Sequence, residues 1–167
     1  AWSSAASDVY KTQKLDFKVE GLGGNVVCKM IGIYGNQNFL VDSVMSNADG
    51  SFTFARDTNI YAGIYYIVFP ENKFFTLILD ANQVFTMETK KGDLVASMNV
   101  KGSLDNQLYY QNQQFETDFN ERFKKVEKDL KAAEKGTDAH GQLKKQRDDM
   151  LDESCLLYTS DAADDQA

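Results

Sequence analysis

The chain has 167 residues, of which 43% are hydrophobic, 12% aromatic and 26% charged, with a single proline. That supplies apolar material for a packed core and excludes a disordered composition, and the length suits one domain or one domain with an appendage. A net charge of −7 repels phosphate backbones, and no basic cluster interleaved with aromatics offsets it, so nucleic acid is not an expected partner.

Residues 1–13 read as a leader remnant or linker. The chain opens on Ala1-Trp2-Ser3-Ser4-Ala5-Ala6-Ser7, not on Met, and this small, polar stretch suits the region just after a signal-peptide cleavage site. Export is the expectation. From Leu15 the sequence turns to period two. Leu15, Phe17 and Val19 alternate with Asp16, Lys18 and Glu20, and Gly21-Leu22-Gly23-Gly24-Asn25 breaks the run as a hairpin connection. A second strand covers 26–34, Gly35-Asn36 turns, and a third covers 39–45. Asn47-Ala48-Asp49-Gly50 is a strong hairpin signal, because Asp-Gly accepts the positive φ values of a tight turn. Further strands follow at 51–55, 63–69, 74–79, 84–89 and about 97–101, punctuated by Pro70-Glu71-Asn72, Asp80-Ala81-Asn82 and Lys90-Lys91-Gly92-Asp93. Seven or eight short strands rich in Phe, Tyr, Val and Ile predict a mainly β domain over 14–102, an antiparallel β-sandwich or small barrel. With no helix between the strands, a parallel α/β sheet is not expected. The longest apolar runs, 64–69 and 74–79, are far short of the about 20 residues that cross a bilayer, so no transmembrane segment is predicted.

At Gly102 the period changes. Ser103 is a good N-cap, and Leu104, Leu108, Phe115, Phe119, Phe123, Val126 and Leu130 recur at helical spacing opposite Glu121, Lys125, Lys128 and Lys131. The pattern predicts a long amphipathic helix ending near Lys135-Gly136, with the glycine as C-cap. Asp138 can cap a short second helix to about Glu153, whose apolar residues are Leu143, Met150 and Leu151. Residues 103–153 are thus a helical arm. Its stripe must be buried, either on the β domain or in a homodimer formed through the long helix. Residues 154–167 read as a non-native or disordered tail, because 155–165 resemble the translation of a transposase-type sequencing adapter.

Candidate chemistry is sparse. Cys28 and Cys155 are far apart and form no Cys-x-x-Cys, and Cys28 sits in a strand where a free thiol packs as a small hydrophobe. His140, the single histidine, has no ligand or nucleophile at useful spacing. Gly21-Leu22-Gly23-Gly24 precedes a strand, whereas a phosphate loop needs a helix behind it. A calcium loop with Gly50 at its sixth position would place Met45 first and Arg56 twelfth, neither of them a carboxylate. Glu20, Asp42, Asp57, Glu71 and Asp80 lie at strand ends or turns, where a solvated role is expected of them in place of a glycosidase-like pair. No catalytic residue, cofactor site or metal site is therefore expected, and the chain reads as a non-enzyme. The dense aromatics Tyr61, Tyr65, Tyr66, Phe69, Phe74 and Phe75 normally fill the core from one face. Tyr65, Tyr66 and Phe75 are the candidate ligand surface, with Tyr66 or Phe75 on the opposite face.

Several motifs form an ordered series: 15–21 (LDFKVEG), Val41-Asp42-Ser43 leading into 49–54 (DGSFTF), 63–70 (GIYYIVFP), Asn72-Lys73-Phe74-Phe75, the strand through Glu88-Thr89, and 100–106 (VKGSLDN). Over about residues 14–135 this series resembles the domain of unknown function that precedes thioredoxin-like domains in many exported proteins of Gram-negative anaerobes. In that family the β module and a helical segment come first, and a thiol–disulfide oxidoreductase or peroxiredoxin part comes after them. The resemblance implies a non-catalytic accessory module of an exported thioredoxin-like protein, periplasmic or in the cell envelope, partnered by a C-terminal thioredoxin-like domain missing from this chain. It carries no catalytic residue onto this sequence. The alternative is a free-standing envelope module that binds glycan or peptide.

Overall fold

The computed structural model describes residues 12–35 and 37–160, with side chains as far as Cys155. Residues 1–11 of the expected leader at 1–13, and residues 161–167 of the expected tail at 154–167, lie outside the described residues. The strands are β1 (Gln13–Glu20), β2 (Val27–Tyr34), β3 (Gln37–Met45), β4 (Ser51–Arg56), β5 (Gly63–Val68), β6 (Phe74–Leu79), β7 (Val84–Lys90) and β8 (Asn99–Lys101). Two helices follow, α1 (Leu104–Ala132) and α2 (Asp138–Ser160). The strands form two separate four-stranded sheets, sheet I in the order β4-β1-β7-β8 and sheet II in the order β3-β2-β5-β6. This is the sandwich alternative; the sheets do not close into a barrel. Gln13, expected in the linker, already belongs to β1 and is buried.

Alternation along each strand decides which side chains enter the space between the sheets. Leu15, Phe17 and Val19 of β1 and Phe85 and Met87 of β7 are buried, as are Cys28 and Met30 of β2 and Ile67 of β5. Phe17 bridges the layers: its ring stacks on Phe52 of sheet I at 5.1 Å and meets Phe75 of sheet II at 5.8 Å. Phe69 joins Phe52 and Phe75 at 6.0 and 5.7 Å, giving a continuous aromatic centre. At one margin Arg56 of β4 reaches Asp42 of β3 at 3.2 Å and donates to the Val41 carbonyl at 2.6 Å, clamping the two edge strands together.

Two features depart from the antiparallel expectation. β1 pairs with β7 in parallel, Lys14 opposite Val84 through Glu20 opposite Lys90. A parallel pair needs a long crossover; here the crossover is the whole run from β2 to β6 in place of a helix. The turns at Gly21–Asn25 and Asn47–Gly50 also join strands of different sheets, so neither closes a hairpin pair. The turn chemistry itself holds. Gly50 takes a φ of 78° and donates to the Asn47 carbonyl at 2.9 Å, and Asp49 Oδ1 accepts from Ser51 N and Oγ at 3.1 and 2.7 Å.

The chain divides into two compact units, one through Gln114 and one from Phe115. In the first unit the opening turns of α1 seal the margin where β6 and β8 end their sheets. Ser103 caps the helix, its Oγ accepting from Asn106 N at 3.4 Å. Asn106, fully buried, accepts from Ile78 N at 2.8 Å and donates to Ile78 O at 2.6 Å, while Tyr110 Oη donates to Thr76 O at 2.6 Å. Gln107 donates to Val100 O, and Gln114 to Val95 O and Met98 O, each at 3.0 Å. The buried face is therefore Ser103, Asn106 and Tyr110, and Leu104 and Leu108 of the expected stripe are exposed. An edge strand's open carbonyls and amides demand polar partners, which leucines do not supply.

In the second unit Phe115, Phe119 and Phe123 stack in succession at 5.9 and 5.7 Å, and Val126 of α1 and Met150 of α2 are buried. α1 stops at Ala132, before Lys135; Gly136, at φ 91°, sits in a turn in which Thr137 N donates to Glu134 O at 3.3 Å. Thr137, not Asp138, caps α2: its Oγ1 accepts from His140 N at 3.3 Å. α2 then runs to Ser160, past Glu153 and through Cys155, and is the shorter of the two helices.

Candidate binding site

Cys28 is fully buried, donates its thiol to Val26 O at 3.6 Å, and is pushed by desolvation from 9.0 up to about 11. It stays a protonated core thiol at neutral pH, without the depressed pKa a nucleophile requires. His140 lies in the first turn of α2. The carboxylates take separate partners: Glu20 pairs with Lys90 at 3.5 Å, Asp42 with Arg56 at 3.2 Å and Glu71 with Lys91 at 3.6 Å, while Asp80 accepts from Asn82 N at 2.8 Å. Among the described residues no three His, Cys, Asp or Glu side chains converge as a metal site requires, and no helix is long and apolar enough to cross a membrane.

The candidate surface of Tyr65, Tyr66 and Phe75 is split between two faces. Tyr65 and Phe75 point into the sandwich and are only 6% and 2% exposed; Phe75 is corrected from ligand surface to core. Its neighbour Phe74 takes the outward place, 55% exposed, with its ring 5.2 Å from that of Tyr66. Strand parity causes the split, since Tyr66 alternates with Tyr65 and Ile67.

The faces of the sandwich differ sharply in polarity. Sheet I turns Lys14, Asp16, Lys18 and Glu20 outward from β1, tied by the Lys14–Asp16 pair at 3.3 Å and the Glu20–Lys90 pair. A shallow groove of about 390 Å³ on this side is lined by Lys18, Glu20, Glu88 and Lys90, a solvated surface of mixed charge. Sheet II turns apolar side chains outward in rows across its strands. One row is Leu40, Ile31, Tyr66 and Thr76; the next holds Ile64 opposite Ile78, with Ile33 alongside on β2. Among the described residues Lys29 is the one charged side chain at the outward positions of sheet II.

This face continues into a cleft of about 660 Å³ at the end of sheet II, lined by Ile33, Tyr34, Gln37, Phe39 and the 61–65 segment. Gly32 makes room for it: a Cβ there would lie 2.4 Å from Phe39 Cζ, so only glycine lets that ring settle against β2. The far wall is fixed by side-chain amides. Gln83 accepts from Gln13 Nε2 at 2.8 Å and Ile60 N at 3.0 Å and donates to Ile60 O at 2.7 Å, while Asn59 Nδ2 donates to Ala81 O at 3.0 Å. Tyr65 Oη, its pKa raised by desolvation, donates to Tyr61 O at 2.7 Å. On this pinned backbone Tyr61 is 91% exposed, and across the cleft Tyr34 is 83% exposed. The hollow between them is apolar, and the backbone of its 60–61 wall is held in place before any ligand arrives. Of its residues only Tyr65 belongs to the sequence-derived candidate surface. Tyr34 is the last residue of β2, and no periodic signal marks a strand-end residue as exposed.

A comparison of the chain with family models, curated proteins and solved structures finds no match.

Proposed function

We propose that this chain is a non-catalytic docking module that holds an apolar or aromatic side chain of a protein partner in the cleft between Tyr34, Phe39 and Tyr61. The observation that carries the reading is the cleft itself, about 660 Å³, apolar, with Tyr34 at the end of β2 on one side and Tyr61, next to the Ile60 backbone that Gln83 holds, on the other. The motif order from 15–21 (LDFKVEG) to 100–106 (VKGSLDN) supports placing the module ahead of a thioredoxin-like domain in an exported, periplasmic or envelope protein. In that setting the module recognises the client or positions the redox domain. A thiol held as Cys28 is has no part in disulfide exchange.

Peptide is favoured over glycan as the ligand. A sugar asks for several directed hydrogen bonds, and the lining supplies the Gln37 amide and tyrosine hydroxyls, of which that of Tyr65 is committed to Tyr61 O. The test is selection of displayed random peptides on the intact chain, repeated with Tyr34→Ala and Tyr61→Ala. Enrichment of aromatic-containing peptides that either substitution abolishes supports the reading. Peptides captured equally well by both variants, or disulfide reduction catalysed by this chain alone, would sink it.

A further inference from the structure

We propose that the outer face of sheet II is a self-association surface on which a second copy of this chain docks by the same face. The proposal rests on area and charge, and the face shares Ile33 and Ile64 with the cleft. Val27, Ile33, Leu40, Met45, Ile64 and Phe74 are each between 40% and 58% exposed. At roughly 60–100 Å² apiece they offer about 500 Å² of apolar surface. With the partly exposed Ile31, Tyr66 and Val68 added, the face passes the roughly 300–600 Å² of the largest patch on an ordinary monomer. It approaches the roughly 800 Å² that each partner gives to a standard interface.

Charge selects the occupant. The chain carries −7, yet this face presents Lys29 alone. A strongly charged partner would find a single lysine here to pair with, whereas a second copy matches the face apolar row to apolar row and can leave Lys29, at one end of it, in solvent. A twofold arrangement sets the Leu40–Ile31–Tyr66 row against the same row of the other copy, an isologous contact that closes at two. The opposite face is unsuited to this, because desolvating Lys14, Asp16, Lys18 and Glu20 costs more than their exposed pairs return.

The experiment is sedimentation velocity on the full chain from about 1 to 100 μM, a range that spans micromolar dissociation constants. The expected result is a reversible dimer that added salt tightens, since screening relieves the repulsion between two acidic chains. Leu40→Glu and Phe74→Glu should each raise the dissociation constant at least about tenfold, and Leu108→Glu, on the exposed flank of α1, should leave it unchanged. Tyr66→Thr, which keeps a strand-favouring residue, repeats the test without a new charge, and far-UV circular dichroism verifies folding of each variant. A monomer across the whole range overturns the proposal. So does a dimer indifferent to both glutamates, a dimer that Phe119→Ser dissociates while the face variants do not, or association that salt weakens, the sign of a contact held by ion pairs.

Discussion

Phe74 and Phe75 are adjacent in the chain and opposite in what they do. Phe75 touches both Phe17 and Phe69, so Phe75→Ala empties a space shared by both sheets and should cost about 3–5 kcal/mol in denaturant unfolding. Tyr66→Ala removes an outward ring and should cost less than about 1.5 kcal/mol; equal losses would show that the two rings share one environment. Cys28 makes a second residue-scale prediction. Its thiol is raised from 9.0 to about 11 by burial, so the folded chain holds its proton where the unfolded chain has lost it. The associated stability is complete below the unfolded value and falls away as pH climbs from about 9 to about 11, by about 2–3 kcal/mol. Unfolding curves of wild type and Cys28→Ala across that window should converge on the alkaline side, and Ellman's reagent should reach Cys28 only on unfolding. Asp49 works in the other sense: donors from Ser51 hold its carboxyl below 3.8, so its contribution to the Asn47–Gly50 turn is present above that value and lost as pH falls further.

At the scale of elements, the first turns of α1 act as a cover for β6. Asn106→Ala would leave the buried amide and carbonyl of Ile78 without partners, for a loss of about 2–4 kcal/mol, and faster hydrogen exchange at Ile78 than at the β5–β6 pairs should accompany it. An unchanged melting temperature would show that the edge needs no cover. The strands themselves were legible, because Leu15-Phe17-Val19 and Phe85-Met87-Thr89 alternate as they bury. Their pairing was not. Asp49-Gly50 reports that the chain reverses but is silent on which sheet receives it, and nothing local distinguishes a strand bonded in parallel from one bonded antiparallel. The register of α1 on the sandwich was missed for a related reason: apolar periodicity points to Leu104 and Leu108, while the contact is made by amides whose partners lie in distant strands. The cleft was half legible. The aromatic density of 61–75 marks the region, but Tyr34 and Phe39 come from another hairpin, and whether a ring at a strand end fills the core or lines a hollow depends on Gly32 and on the Gln83 amide.

At the scale of the molecule, the sandwich is asymmetric: one outer face is charged and self-satisfied, the other apolar and continuous with the cleft. The apolar face and the cleft both belong to sheet II, which is built from β2, β3, β5 and β6, while sheet I takes β1 early, β4 from between β3 and β5, and β7 and β8 late. The parallel contact between β1 and β7 has a consequence in time. β7 is a central strand flanked by β1 and β8, so sheet I stays open until Val84–Lys90 arrives. During synthesis sheet II, complete by Leu79, emerges from the ribosome before its opposing layer has a middle. Such high contact order slows the final docking step. Pulse-labelled exchange should therefore show amides of β2 and β5 protected earlier than those of β7, and until β7 locks in, a chaperone meets a half-built sandwich with its aromatic interior open on one side.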